Sequence, residues 1–458
     1  MSTASLPRLR ARTIRVEGPL ADALAALPLE RLADPLAPLL WLRRGEGVVG
    51  VALPEDSGLP AVAWRAEFRG ERRFEDAAGA WASLLEAAEI DDEARMPGTG
   101  LLAFGAFAFA AGSAQASVLA VPTLLVGRRG GAVFATAATA DGSDPGAILD
   151  RLDELARPRP EGPDPRAAFR DGEMTVDRHR RAVDHAIDLI NQGQLSKLVL
   201  ARDVAGRIPA DADRRHVLAR LSSGYPECWA YAVDGLLGAS PETLVRVIGR
   251  AVTARVLAGT APRADDPAED RSTGAALFVS RKNRAEHAFA VDSALASLGA
   301  LDADDHDEPG TSLTASPEPF LLKLPNVWHL ASDLRGELPE GRTVLDLVEA
   351  LHPTAAVGGT PRDRALDAID RLEPFDRRRY AGPVGWLSSS GEGEWAIALR
   401  GAEIDPDGAV TAYAGGGIVA TSDPLEEFRE TEWKLRPLLD ALGRGGAAAF
   451  DRPLSPGE

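Results

Sequence analysis

The stretch EWAIALRGAEIDPDGAVTAYAGGGIVA, from Glu394 to Ala420, decides the fold. Apolar and β-branched residues on either side of Asp405–Gly408 predict two strands, Glu394–Ile404 and Ala409–Ala420. Asp-Pro-Asp-Gly between such strands is a hairpin signal, because these residues accept the backbone conformations of tight turns. We therefore predict an antiparallel pair of strands here.

Outward from this hairpin, strands follow one another without strict alternation with helices. Further strands are predicted over Lys197–Val204, Cys228–Val233, Leu244–Ile248 and Ala251–Leu257. Helices are predicted over Val176–Asn191, Asn283–Leu298 and Asp423–Leu442, the last capped by Asp423, and polar loops over Ala261–Gly274 and Asp302–Gly310. Adjacent, hairpin-linked strands favour antiparallel sheet with helices packed outside it, which is the α+β class.

The chain has 458 residues, more than one ordinary small domain needs. Its clearest linker, Pro158–Pro165, separates a predicted N-terminal lobe, residues 1–160, from a main region at residues 170–445. The most apolar run, Leu101–Ala111, is too short to span a bilayer as a helix, so we interpret it as buried strand. We expect the lobe to complete the sheet packing of the main region.

The formal net charge of −18 argues against nucleic acid or an anionic membrane as partner. One cysteine, Cys228, allows no intramolecular disulfide, and Met1–Pro19 lacks the apolar core of a secretory signal. We expect a cytoplasmic protein that is a monomer or a weak homodimer. An acidic protein that binds an acidic small molecule must gather Lys, Arg or a metal ion locally.

Acidic residues on two predicted helices could meet at a metal ion. Glu427, Glu430 and Lys434 share one face of the last helix, and Glu286 lies on the helix Asn283–Leu298. Each alone is typical of a solvated helix face. Together they could hold Mg²⁺, which takes oxygen ligands and keeps several waters, whereas no His/Cys pattern favours Zn²⁺.

Arg400 lies in an otherwise apolar predicted strand and therefore needs a partner, either a nearby acid or a substrate carboxylate. If the turn at Asp405–Gly408 sets the register, Arg400 lies across from about Tyr413 and faces the glycines at 415–417. The backbone N–H groups of such glycines can approach an anion closely.

Two further residues have a structural and a catalytic interpretation. Lys197, at the mouth of an apolar strand, either extends to water or is a desolvated base. Glu242, in a turn between strands, is either an exposed acid or a proton donor.

The motifs that contain these residues resemble those of the chorismate-utilising enzyme family in sequence and in their order along the chain. The motifs are KLVLAR (197–202), SPE (240–242), LAGT (257–260), KNRAEH (282–287), LHPTAAVGG (351–359), LEPFD (372–376), GW (385–386), YAGGGIV (413–419) and ET (430–431). This resemblance covers about residues 175–442, and so many motifs in order are specific. It implies a large two-layered antiparallel β-sandwich with helices outside, and chorismate as the small-molecule substrate.

The resemblance also implies roles for the matching residues. Lys197 would activate water for attack at C2 of the chorismate ring, and Glu242 would protonate the departing C4 hydroxyl. Glu286 and Glu430 would hold Mg²⁺, with Glu427 behind them or reaching the metal through water. The substrate-binding residues implied are Arg400, Lys434, His329, Gly259, Thr260, Ala356, Tyr413, Gly415 and Gly417.

Within the family we expect isomerisation of chorismate to isochorismate. Aminating members often lack the base at Lys197 or carry a Lys where this chain has Ala258. Salicylate synthases, which go on to eliminate pyruvate, commonly carry Thr where this chain has Ala356. Three alternatives stay open: salicylate formation, amination, and a scaffold that binds chorismate without turnover.

Overall fold

A computed structural model of the chain describes residues 7–264, 266–299, 313–323 and 327–443. The strands in these residues are β1 (Arg10–Val16), β2 (Leu40–Arg43), β3 (Glu46–Gly50), β4 (Val62–Phe68), β5 (Glu89–Asp92), β6 (Leu102–Ala106), β7 (Ser117–Pro122), β8 (Leu124–Arg129), β9 (Ala132–Thr139), β10 (Ala168–Asp171), β11 (Lys197–Arg207), β12 (Trp229–Val233), β13 (Leu236–Ser240), β14 (Thr243–Ile248), β15 (Ala251–Pro262), β16 (Thr314–Ala315), β17 (Phe320–Lys323), β18 (Val327–Glu337), β19 (Gly359–Thr360), β20 (Pro383–Ser388), β21 (Gly393–Ile397), β22 (Gly401–Ile404) and β23 (Ala409–Ile418). The helices are α1 (Gly18–Ala26), α2 (Arg73–Ala87), α3 (Pro145–Leu149), α4 (Leu152–Leu155), α5 (Val176–Asn191), α6 (Arg215–Gly224), α7 (Pro267–Val279), α8 (Arg281–Gly299), α9 (Val344–Leu351), α10 (Arg362–Leu372) and α11 (Pro424–Ala441).

These strands form two large sheets. The first has the order β10-β11-β23-β22-β13-β12-β2-β3-β8-β9-β1-β5, with β19 beside β11, and the second has the order β16-β18-β15-β14-β21-β20-β6-β7-β4, with β17 beside β18. Among the described strands every pairing is antiparallel except that of β1 with β5. Strands from the first 160 residues join both sheets, since β2 pairs with β12 and β6 pairs with β20. The division at residue 160 stays a prediction.

The two sheets share a buried interior. Trp41 and Tyr231 of the first sheet pack in one apolar cluster with Phe104 and Trp386 of the second. Two further clusters bury the outer faces of the sheets against helices, α6 and α11 on the first sheet and α2 and α9 on the second. The predicted α+β class, a two-layered antiparallel sandwich with helices outside, is confirmed. No helix in the described part of the chain has the length and apolarity to cross a membrane.

Several elements that were predicted from short-range sequence signals are present in the structure. The helix predicted over Val176–Asn191 has those bounds, and Thr175 caps it. Asp423 caps α11 by accepting hydrogen bonds from the backbone N–H of Leu425 and Glu426. The hairpin is present between β22 and β23, with Asp405–Gly408 at its turn.

Other predicted elements are wrong. The predicted loop Ala261–Gly274 contains the end of β15 and the start of α7, because Asp266 is an N-cap and Pro267 occupies the first helical position. The acidic stretch Asp302–Gly310 lies outside the described residues.

The strand predicted over Glu394–Ile404 is in fact two strands in different sheets. β21 belongs to the second sheet and β22 to the first, and the chain crosses between them at Ala398–Arg400. Arg400 has a left-handed backbone, with φ of 53°, and lies in neither strand. The β22–β23 register begins by pairing Ala402 with Ala412 and does not include Arg400, so the predicted position of Arg400 in a strand across from about Tyr413 is wrong.

Candidate active site

One cavity of about 450 Å³ gathers the chemistry-bearing residues of both sheets and of helices α8 and α11. It collects every site residue that the sequence predicted except Thr260, whose side chain is outside the described part of the structure. The predicted residues on its wall are Lys197, Glu242, Gly259, Glu286, His329, Ala356, Arg400, Tyr413, Gly415, Gly417, Glu427, Glu430 and Lys434.

Lys197 begins β11, and the buried residues after it hold the strand in the first sheet. Its Nζ lies 2.8 Å from Glu286 Oε1 on α8, and the two side chains are 17% and 26% exposed. Gly417 lies across from Val199 in β23, and a Cβ there would come 2.9 Å from Lys197 Cε. Because Gly417 has no side chain, the Lys197 side chain has room to extend into the cavity.

Glu242 lies in the turn between β13 and β14, and its backbone is held on both sides. Its N–H donates to Ser240 Oγ at 3.2 Å, and its carbonyl accepts from the N–H of Ile397 at 3.1 Å. Burial raises the pKa of the Glu242 carboxyl to about 7, against the opposing effect of the cations Lys197, Arg400 and Lys434. Near neutral pH a large fraction of this group is therefore protonated and able to donate a proton.

Arg400 supplies an unpaired cation to the cavity. Its guanidinium makes no hydrogen bond or ion pair with any residue that the structure describes, although burial lowers its pKa from the ordinary value. A desolvated cation without a hydrogen-bonded counter-charge is costly, so this position favours an anionic ligand. Of the two partners that the sequence left open, the nearby acids Glu242 and Glu430 act on Arg400 through their charge, but neither is in ion-pair contact with it among the described contacts.

The inner face of α11 brings two carboxylates and a lysine to the cavity. Lys434 Nζ donates to Glu430 Oε1 and to the carbonyl of Gly415, the latter at 2.8 Å. Glu427 accepts a 2.6 Å hydrogen bond from Ser422 Oγ. Its other oxygen, Oε2, is buried with no hydrogen-bond partner in the described residues, and burial raises the pKa of the Glu427 carboxyl to about 7.

Glycine at position 416 makes room for both acids of this face. A Cβ on Gly416 would lie 2.8 Å from Glu427 Oε2 and 3.9 Å from Glu430 Oε1. The two carboxylates thus approach one point beside the backbone of β23. Glu286 lines the same cavity from α8.

The carboxylates of this cavity suit Mg²⁺ better than they suit a metal ion whose ligands all come from the protein. Within the described ranges, no group of three or more His, Cys, Asp or Glu side chains is arranged to enclose a metal ion. Mg²⁺ usually takes only one or two carboxylates and completes its shell with water and an anionic ligand. Glu286 and Glu430 could provide such a pair, and the unpartnered oxygen of Glu427 could accept a hydrogen bond from a metal-bound water.

Three ring residues, His329, Tyr380 and Tyr413, complete the wall of the cavity. Burial lowers the pKa of His329 to about 3, so its imidazole is neutral at physiological pH. Tyr413 stacks on Tyr380 with ring centroids 5.2 Å apart. Tyr380 was missed in the sequence, where only its position four residues after the LEPFD motif could have indicated it; burial raises the pKa of its hydroxyl to about 12.

The geometry agrees with comparisons to known proteins. A family model described as chorismate binding enzyme matches residues 58–443. The chain therefore belongs to the family of chorismate-binding enzymes.

Several isochorismate synthases are similar to this chain. Isochorismate synthase DhbC of Bacillus subtilis is 38% identical over 278 residues, which are 58% of this chain and 67% of the relative. Isochorismate synthase EntC of Escherichia coli is 37% identical over 266 residues, 57% of this chain and 66% of the relative. The solved structure of MenF, the menaquinone-specific isochorismate synthase of Escherichia coli, superposes with a TM-score of 0.73 at 27% identity, covering 95% of this chain and 96% of that one.

Proposed function

We propose that this chain is an isochorismate synthase that isomerises chorismate with Mg²⁺ as cofactor. The observation that carries the proposal is the presence of a base and an acid, Lys197 and Glu242, on the wall of one cavity that also holds Arg400 and Lys434. Chorismate is a dianion, and these cations offset its carboxylates inside a protein whose net charge is −18.

The residues divide the reaction between them. Lys197 takes a proton from the water that attacks C2, and Glu242 gives a proton to the C4 hydroxyl, which leaves as water. The C2–O bond forms as the C4–O bond breaks, and the ring double bonds shift between them. Glu286 and Glu430 would hold Mg²⁺, which would supply positive charge for a substrate carboxylate.

Water, not ammonia, is the proposed nucleophile. Ala258 lines the cavity beside Gly259, so the position at which some aminating relatives carry a Lys offers only a methyl group here. Lys197, which some of those relatives lack, is present and faces the same cavity.

The direct test is incubation of the purified protein with chorismate, with Mg²⁺ or with a chelator, followed by mass spectrometry and ultraviolet absorbance of the products. We expect a product of unchanged mass that forms only with the metal. Exchange of Lys197→Ala should remove turnover. Lys323→Ala, the same substitution at a half-exposed site outside the cavity, should retain it. Binding of chorismate by the wild type without any turnover would favour a scaffold.

The same assay separates the other members of the family. Salicylate together with pyruvate would assign the chain to the lyase branch and show that Ala356 does not distinguish the two. An aminated product that appears only when ammonium is added would overturn the choice of water.

Metal binding can be measured without turnover. We expect Mg²⁺ to raise the melting temperature of the wild type, because a ligand that binds only the folded state stabilises it. Glu430→Gln should weaken this shift, whereas Glu432→Gln, on the same helix but outside the active-site cavity, should leave it intact. Equal shifts in both variants would remove Glu430 from the proposed ligand pair.

A further inference from the structure

A second cavity adjoins the active-site cavity behind Glu242. It encloses about 360 Å³ between helix α8, the segment at residues 351–362, and strands β14 and β15. Among the described residues, Glu242 and Ala356 alone line both cavities. Because Ala356 has no polar side chain, the Glu242 carboxyl is the one functional group placed between the two chambers.

Helix α8 runs past both chambers. Glu286 faces the active site, and the residues that follow it at steps of three or four continue the same face along the second cavity. Those residues are Phe289, Ala290, Ser293, Ala294 and Ser297. Phe289 is 51% exposed, and Pro361 and Arg362 across from it are exposed as well. The second cavity therefore reaches solvent at residues that do not line the active-site cavity.

The chamber has a largely apolar wall, with Leu244, Val256 and Ile397 among its residues, but hydroxyl-bearing residues are interspersed along it. Hydroxyl groups of Thr243, Ser293, Ser297, Thr354 and Thr360 lie along it. The hydroxyl oxygen of Thr354 is buried and has no hydrogen-bond partner in the described residues. Buried hydroxyls are nearly always satisfied, so water is the natural partner, and a space of this size holds on the order of ten molecules.

The proposed chemistry creates a need for such a chamber. Each turnover leaves Lys197 with one more proton and Glu242 with one fewer, although chorismate and isochorismate have the same composition. Glu242 must regain a proton before the next turnover. While substrate or product fills the active-site cavity, the second cavity offers the Glu242 carboxyl a separate approach to solvent.

We propose that the second cavity is a water-filled route through which Glu242 recovers its proton from solvent while product still fills the active-site cavity. This inference rests on the proposed function. It assigns the chamber to water and not to a second organic ligand, and it makes the face of α8 beyond Glu286 part of the turnover cycle.

Filling the chamber tests the inference. Ala294→Leu adds bulk to the second cavity, and Ala288→Leu adds the same bulk to an exposed face of the same helix. Ser293→Leu fills the chamber from an adjacent position, should Ala294→Leu fail to fold. Rapid-quench kinetics would follow isochorismate formation in the first and later turnovers, in H₂O and in D₂O.

The expected pattern is specific to proton return. In Ala294→Leu the first turnover should be as fast as in the wild type, because Glu242 begins protonated, and later turnovers should be at least about fivefold slower. The slow phase should show a larger solvent isotope effect, while KM and the Ala288→Leu kinetics stay near wild type.

Two results would overturn this inference without touching the proposed function. One is a slower first turnover in both Ala294→Leu and Ser293→Leu, which would indicate a structural effect. The other is an unchanged rate of later turnovers in both variants. Failure of the wild type to form isochorismate would instead refute the proposed function, and the inference with it.

Discussion

Replacement of Glu242 by Gln should stabilise the protein at high pH. The pKa of the carboxyl is about 7 in the folded protein against 4.5 for an ordinary Glu, a difference worth about 3 kcal/mol of unfolding free energy. Because the folded pKa is the higher one, this stability is present at low pH and is lost as the pH rises through 7. Gln is neutral at every pH, so the Glu242→Gln variant does not lose this stability.

Urea denaturation at pH 5.5 and pH 8, without metal or substrate, measures the effect. Between these two values the stability of Glu242→Gln relative to the wild type should rise by about 2 kcal/mol. Glu427, whose pKa is also about 7, is present in both proteins, so its contribution cancels. A stability difference that does not change with pH would refute the argument that burial holds the Glu242 carboxyl protonated.

The Glu242 carboxyl should also determine how the activity depends on pH. In the wild type kcat/KM should fall as the pH rises above about 7, because the carboxyl loses the proton that the leaving hydroxyl needs. Glu242→Gln should lose on the order of 10²- to 10⁴-fold in turnover despite its greater stability at pH 8. If Glu242→Gln kept wild-type activity, the proton donor would have to be another residue.

Three further substitutions give distinct outcomes. Arg400→Met should raise KM for chorismate about 10- to 100-fold, the value of one hydrogen-bonded charge, and an unchanged KM would remove Arg400 from substrate binding. Gly417→Ala should lower kcat while leaving the urea midpoint nearly unchanged, because the added Cβ meets only the flexible end of Lys197; a matched loss of stability would contradict this. Arg377→Ala should cost about 3–5 kcal/mol in urea denaturation, because it leaves the buried Glu373 carboxylate unpaired and frees the carbonyls of Val199 and Val357. A loss below about 1 kcal/mol would show that water replaces the guanidinium.

Several features could be predicted from sequence because short-range physics determines them. The cap of α11 by Asp423, the bounds of α5 and the turn at Asp405–Gly408 each depend on a few neighbouring residues. The acid, the base and the cations of the site could also be predicted from the sequence, because they lie in motifs that follow one another in a fixed order. One local signal was overlooked: the Asp266-Pro267 start of α7.

What the sequence alone determined is therefore the set of chemical groups and the elements that carry them. Only the tertiary structure decided which groups meet. Lys197 and Glu286 are 89 residues apart, and the packing of α8 against the sheets joins them. The crossing of the chain between sheets at Ala398–Arg400, which frees Arg400 from a strand, and the chamber behind Glu242 arise from strand pairing and helix packing over long separations. A residue's nearest neighbours in the chain do not encode such contacts, because their free energy depends on partners that only the folded chain brings into reach.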